Sequence, residues 1–205
     1  MKLTLLIFTL LVSLNNCYSQ YDWTKGKIVL KNGDTLNGSI KLPIASKPKF
    51  SDKEKIKFRK GWKDPKRKID ETKIDKIIFN YTNGVTSTYE YLQISKNRKR
   101  LFRIINNGKA KLYTRKKANA GSSTMNFGKV HNTLYITYDE FHEYYILLEN
   151  ELIANPLISS NILISFKNRA IEYFSDCPKL IEKLRNETYT KDDVKIIVEE
   201  YNNCN

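Results

Sequence analysis

The residues best suited to proton transfer or metal binding are the two histidines and the carboxylates near one of them. His131 precedes a strand-like stretch, and His142 lies in the run Asp139-Glu140-Phe141-His142-Glu143. Histidine with carboxylates can bind zinc or act as an acid–base pair. In a strand, Glu140 and His142 share one face and Glu143 points away, and the run is not an HExxH motif. His142 and Glu140 are therefore the candidates if a metal site exists, and the alternative is an exposed polar strand edge. We predict no metal and no cofactor.

Other catalytic motifs do not occur in the sequence. It contains no serine nucleophile elbow, phosphate-binding loop or dinucleotide fingerprint. Cys177 and Cys204 are too far apart for a CxxC redox motif. Whether the protein is an enzyme is left open, and a metal-assisted hydrolase using His142 is the third of three functional hypotheses.

Two segments rich in lysine and arginine could bind anions. Residues 53–68 contain nine Lys or Arg, interleaved with Phe58 and Trp62, and residues 96–117 contain ten and no acid. Cations attract phosphate groups, and aromatic rings can stack on sugars or bases. The candidate polyanion-binding residues are Lys55, Lys57, Arg59, Lys60, Arg98, Arg100, Arg103, Lys109, Lys111 and Arg115. The alternative is a solvated lysine-rich surface without a ligand.

The charge is divided unevenly along the 205 residues, whose formal net charge is +14. Residues 20–138 contain 28 basic and 9 acidic side chains, whereas residues 139–205 contain 7 and 13. Segments of opposite sign attract each other, so we expect the two parts to pack together and to leave a basic face on the first.

The first part of the chain has the pattern of an antiparallel sheet. Residues 27–31 and 35–42 alternate on either side of Asn32-Gly33, which predicts a hairpin with a tight primed turn. A second hairpin is predicted around Gly108, and further strands follow up to about residue 155. Residues 116–128 are polar, with Gly121-Ser122-Ser123, and predict a mobile loop.

The last part has a helical period. Apolar residues recur every four positions from Ile162, Pro178 suits the start of a second helix, and Thr190 with Asp193 resembles the capping box of a third. Because the second and third helices are joined by a few residues, we expect them to run antiparallel and to bring Cys177 close to Cys204. The sequence thus predicts a disulfide between them, and the alternative is two buried thiols.

The N-terminus predicts export. A short positive start precedes ten residues, 3–12, that are almost all apolar, and a polar tail follows. A bilayer-spanning helix needs about 20 apolar residues, so the run fits a signal peptide instead, cleaved before Gln20. In an alternative interpretation Cys17 is lipidated. No later run is long enough to span a membrane as a helix.

The stretches KGKIVLKNGDTLNGSIKL, NNGKAKLY and YFSDCPKLIEKL with the ending YTKDDVKIIVEEYNNC together resemble a group of uncharacterised exported proteins of Bacteroidetes-type bacteria. Longer members of that group carry an outer-membrane β-barrel after a similar domain, whereas this sequence stops at Asn205. The resemblance implies a cell-envelope location and an envelope partner, and it supplies no functional residues.

We therefore expect an α+β fold in which an antiparallel β meander precedes a bundle of about three helices. Residues 1–19 would be a signal peptide, 20–155 the β region and 156–205 a helical region packed on it. The first functional hypothesis is a non-catalytic module that binds another envelope component, such as a protein, in the periplasm, at the outer membrane or outside the cell. The second is a binder of anionic polymers or lipid headgroups. An exported protein is not expected to meet nucleic acid.

Overall fold

Strands account for most of the chain that the structure, a computed structural model, describes. Described are residues 23–43, 54–125, 133–159 and 164–204, with side chains throughout except at 117–125 and 133–140. The strands are β1 (Thr24–Leu30), β2 (Thr35–Lys41), β3 (Ile56–Arg59), β4 (Arg67–Ile69), β5 (Ile74–Asn80), β6 (Thr86–Ser95), β7 (Arg98–Asn106), β8 (Ala110–Met125), β9 (Thr133–Leu148) and β10 (Asn155–Ile158). The helices are α1 (Phe166–Tyr173), α2 (Pro178–Arg185) and α3 (Val194–Asn202).

All neighbouring strands pair antiparallel in one sheet with the order β10-β9-β8-β7-β6-β5-β1-β2-β3-β4. Strands β5 to β10 follow one another as a meander, and β1 attaches the N-terminal strands to β5. Short turns can join antiparallel neighbours, which is why a meander suits a chain with closely spaced strands. Three helices follow the last strand. The predicted α+β fold, a β meander with a C-terminal helical part, is confirmed.

The predicted hairpin at Asn32-Gly33 is present, but its turn is different. The Gly33 N–H donates to the Leu30 carbonyl at 2.9 Å, and the Leu30 N–H donates to the Asp34 carbonyl at 2.8 Å. Gly33 has a φ of 90°, whereas Asn32 is not among the residues with positive φ. A primed two-residue turn needs positive φ at both central positions, so that prediction is wrong. The hairpin has a three-residue loop that ends in a left-handed glycine.

The predicted mobile loop over residues 116–128 is also wrong for the part that the structure describes. Strand β8 continues through Gly121-Ser122-Ser123 to Met125 and pairs with β9 from Ala110↔Leu148 to Met125↔Thr133. Strand β9 is rich in aromatic and β-branched residues, which favour strands. The pairing with this partner outweighs the weak strand preference of the Gly-Ser run. Residues 126–128 lie outside the described residues.

The three helices pack on the β8–β10 end of the sheet. Leu112 and Ile146 of the sheet are fully buried against Phe174, Leu180 and Ile197 of the helical part. Helix α1 begins after the N-cap Ser165, later than the period from Ile162 suggested, and Ile162 itself lies outside the described residues. Strand β10 also extends past the predicted end of the β region at residue 155. In the described part of the chain, no helix is long and apolar enough to cross a membrane.

The ends of the helical part are fixed as the sequence predicted. Thr190 and Asp193 form the capping box, with the Thr190 N–H donating to Asp193 Oδ2 at 2.9 Å. Cys177 and Cys204 are joined in a disulfide with a Cα–Cα distance of 6.1 Å. At the end of α3, the Asn202 amide bonds both the N–H and the carbonyl of Ala110, at 2.7 and 2.9 Å. These contacts hold the helices against the first residue of β8.

Candidate functional site

A cavity of about 330 Å³ lies on the concave side of the sheet. Its walls include Ile40 of β2 and His142 of β9, which are separated by five strands in the sheet order, so the sheet curves around it. The lining residues are Thr24, Ile40, Leu42, Pro43, Glu54, Phe79, Tyr81, Tyr89, Leu101, Arg103, Thr114, Arg115, Lys116 and His142. The cavity therefore has an apolar and aromatic wall and a polar wall that is mostly cationic.

The apolar wall depends on a glycine in β1. The Phe79 ring lies against Gly26, where a Cβ atom would come within 2.7 Å of Phe79 Cδ1. Phe79 is almost completely buried and meets the Tyr89 ring edge-on, with 5.6 Å between the ring centroids. Burial and the neighbouring Tyr81 raise the pKa of Tyr89, so its hydroxyl is protonated at neutral pH. This wall offers rings and one hydroxyl to a ligand.

The polar wall forms where β7 and β8 separate. The two strands pair from Arg103↔Thr114 to Asn106↔Leu112, and Arg103 is also the partner of Tyr89 in β6. Cross-strand partners project from the same face, so Tyr89, Arg103 and Thr114 form one row. Lys116 and His142 are partners in the β8–β9 ladder and extend this wall.

Glu54 connects β7 and β8 where the two strands separate. Its carboxylate is buried, with Oε1 2.6 Å from Arg115 Nη2 and 3.6 Å from Arg100 Nε. Its Oε2 accepts from the Leu101 N–H at 3.1 Å, and its backbone carbonyl accepts from the Tyr91 hydroxyl at 2.5 Å. Burial and the nearby Glu54 charge raise the pKa of Tyr91. Glu54 therefore acts as an anchor for strands, with both oxygens occupied, and it neutralises Arg115.

Arg103 is a cation of this cavity without an acidic partner among the described residues. It is half-buried, and no described carboxylate lies within ion-pair distance of its guanidinium. Its cross-strand partner Tyr89 is near enough for the Arg103 charge to act on the Tyr89 hydroxyl. A guanidinium offers five N–H donors in a planar fork that matches phosphate and carboxylate oxygens. Arg103 is thus the group that an anion entering the cavity would meet.

His142 lines the same cavity as Glu54, which is the arrangement expected of a hydrolytic cleft. Its Nδ1 lies 3.3 Å from Thr114 Oγ1, whose hydroxyl donates to the Glu143 carbonyl at 3.1 Å. That geometry makes the hydroxyl oxygen the acceptor for an Nδ1–H proton. Within the described residues, no group of three His, Cys, Asp or Glu could hold a metal ion. The side chain of Glu140 and all of His131 lie outside the described residues.

The structure separates the ten predicted polyanion-binding residues into several environments. Arg103 and Arg115 line the cavity, and Arg100 joins Arg115 on Glu54. The side chains of Lys57, Lys60, Arg98 and Lys111 are exposed. Three others have contacts elsewhere: Lys55 pairs with Asp70 at 3.8 Å, Lys109 pairs with Asp176 at 2.5 Å, and Arg59 is buried between Trp23 and Trp62. The two basic segments do meet, through the contact of Glu54 with Arg100 and Arg115.

Sequence reasoning did not find the apolar wall or the anchor. Leu42, Phe79 and Tyr89 look like ordinary strand residues, and Glu54 is one acid inside a basic run. A usable signal was the position of Glu54 between two lysines, because a carboxylate that becomes buried among cations is paired with them. The cavity itself depends on strand order and curvature.

Comparisons of the chain with protein-family models, with curated proteins and with solved structures find no match. The function is therefore inferred from the geometry of the cavity and from the surface charge.

Proposed function

We propose that this chain is a non-catalytic module, exported to the cell envelope, that binds an anionic amphiphile in the cavity. The observation that carries the proposal is Arg103, a half-buried guanidinium without a described acidic partner, in a cavity that Phe79 and Leu42 also line. Export follows from the N-terminal signal pattern and is part of the proposal.

The size and lining of the cavity indicate a small ligand with two different ends. Ligand cavities commonly measure about 300–1,000 Å³ and are mostly apolar, with a few polar groups that fix orientation. A phosphate or carboxylate would bind the Arg103 fork, with the Tyr89 hydroxyl as a second donor. The carbon chain would lie against Phe79, Leu42 and Ile40, where burial of apolar surface contributes affinity.

A binding role explains the polar wall better than hydrolysis does. A general base needs an available lone pair within hydrogen-bond reach of its substrate. Both carboxylate oxygens of Glu54 already accept charge-assisted or backbone hydrogen bonds. Arg103, which has no acidic partner among the described residues, favours retention of an anion.

The test is calorimetric titration of the mature protein with four probes: octyl phosphate, octanoate, inorganic phosphate and octanol. We expect octyl phosphate or octanoate to bind best, because only these combine both ends; their ranking distinguishes phosphate from carboxylate recognition. Arg103→Gln should weaken binding by about 10- to 150-fold, since a hydrogen bond to a charged group contributes about 1.5–3 kcal/mol.

The matched control is Lys111→Gln, which removes the same charge from an exposed position on β8. It should bind the probes as the unmodified protein does. Equal losses in both variants would mean that net charge alone attracts the anion. Failure of both octyl probes to bind would contradict the proposal.

A further inference from the structure

An exposed tryptophan lies at the tip of the hairpin formed by β3 and β4, defined here as residues 60–66 and called the β3–β4 tip. Trp62 has 79% of its surface exposed, whereas most large apolar side chains of the described sheet are buried. Asp64 orders the turn, because its Oδ2 accepts from the Gly61 N–H at 2.8 Å and its own N–H donates to the Gly61 carbonyl at 3.3 Å. The ordered turn therefore keeps the apolar Trp62 side chain exposed to solvent.

Arg59 fixes the orientation of this tryptophan. Its guanidinium carbon lies 4.0 Å from the centroid of the Trp62 ring and 4.3 Å from that of Trp23. Arg59 is only 5% exposed, its Nη1 donates to the Trp62 carbonyl at 3.4 Å, and its Nε has no hydrogen-bond partner among the described residues. Cation–π stacking of this kind contributes to stability and orders both partners. One ring face of Trp62 thus packs on Arg59, and the rest of the indole is presented to the outside.

Exposed positive side chains flank Trp62 in the sequence. Five exposed cations lie between residues 60 and 68, with one acid, Asp64, in the same stretch. They are Lys60, Lys63, Lys66, Arg67 and Lys68. The combination of an interfacial aromatic ring and clustered lysines is typical of segments that lie on the surface of anionic membranes.

We propose that the β3–β4 tip docks on an anionic lipid surface, with Trp62 at the level of the headgroups and the surrounding lysines on lipid phosphates. A polyanion without sugar rings or bases would account for the lysines alone, whereas a lipid surface accommodates both the lysines and an indole at the level of the headgroups. Leu152, which is 90% exposed and near the end of β9, directly follows the acidic stretch Glu149-Asn150-Glu151 and provides a contrast within the same chain. None of the residues of the β3–β4 tip lines the cavity.

The experiment measures partitioning of the mature protein onto vesicles of three parts phosphatidylcholine to one part phosphatidylglycerol, with pure phosphatidylcholine vesicles as comparison. Changing Lys60, Lys63 and Lys66 together to glutamine should weaken partitioning about 100-fold, at about 1 kcal/mol for each cation near the surface. Trp62→Ala should weaken it on the order of tenfold through lost apolar burial. It should also remove the blue shift of tryptophan emission on binding.

Leu152→Ala is the matched control for loss of an exposed apolar side chain, and Lys111→Gln is the control for loss of one exposed charge on another strand; both should partition normally. Circular dichroism checks that the tip variants remain folded. The proposal is overturned if the protein ignores anionic vesicles, or binds both vesicle types equally. It is also overturned if Trp62→Ala binds as well as the unmodified chain and dextran sulfate competes fully, which would indicate a soluble polyanion as partner.

Discussion

Replacing Glu54 with alanine should strongly destabilise the protein, because one buried carboxylate serves several strands. The change leaves Arg115, whose side chain is 12% exposed, without the partner 2.6 Å away, and it leaves the Leu101 N–H without an acceptor. Removing one member of a buried ion pair costs about 3–5 kcal/mol, and leaving a buried donor unsatisfied costs about 1–3 kcal/mol. The two costs overlap here, so they are not added. We expect the free energy of unfolding to fall by about 3–5 kcal/mol.

Urea denaturation followed by circular dichroism measures this loss. With a slope of about 2 kcal/mol per molar urea, the midpoint should fall by about 2 M. Lys55→Gln is the control, because it breaks an exposed 3.8 Å pair with Asp70 and should cost less than about 1 kcal/mol. A loss below about 1 kcal/mol for Glu54→Ala would refute the role of Glu54 as the anchor of β7 and β8.

Three further changes test other parts of the structure. Removing the disulfide with Cys177→Ser and Cys204→Ser should lower the free energy of unfolding by about 3–4 kcal/mol in denaturant titrations, because the 27-residue separation closes a long loop. Glu187→Gly should raise stability by about 0.5–1 kcal/mol, since Glu187 has a φ of 61° at the end of α2, where glycine has no steric cost. The hydrogen bond from Lys183 lowers the pKa of Glu200, so Glu200 contributes stability above its unfolded pKa, and that stability is lost as pH falls through the folded pKa. Lys183→Gln should therefore flatten the decline of stability below about pH 4.5 in acid titrations.

Each of these predictions has a result that would contradict it. Equal free energies of unfolding for the oxidised protein and the double serine variant would show that the disulfide does not stabilise the folded state relative to the unfolded chain. Destabilisation by Glu187→Gly, with Glu187→Gln neutral, would mean that the left-handed conformation carries no cost. If the free energy of unfolding of Lys183→Gln falls with pH as it does in the unmodified protein, the Lys183–Glu200 pair contributes no pH-dependent stability.

Features that depend on neighbours in the sequence could be predicted from it. The capping box of Thr190 and Asp193 needs only local spacing, and the Cys177–Cys204 pairing needs only two short antiparallel helices. The type of the turn at Asn32-Gly33 could not be predicted from the dipeptide alone. The dipeptide permits a primed turn, but the observed loop needs left-handed backbone only at Gly33. Turn type depends on how the strands join, and the dipeptide does not fix that.

The cavity could not be predicted, because its residues meet through strand order and curvature. Ile40 and His142 lie on strands far apart in the sheet, and Arg103 reaches the cavity because β7 and β8 separate there. Both predicted basic segments contribute residues to the cavity lining, but their charges differ in role. Arg115 is neutralised by Glu54 and Arg59 is buried between tryptophans, and composition does not distinguish these from Arg103.

The most direct test of the proposal that the cavity binds an anion observes Arg103 itself. In NMR spectra of the isotope-labelled mature protein, addition of octyl phosphate should shift the Arg103 Nε–Hε resonance saturably, together with signals from Tyr89 and Phe79. The exposed Lys111 should be unaffected. If Arg103 stays unchanged while surface lysines shift without saturation, the anion binds by surface charge alone, and the cavity is not the functional site.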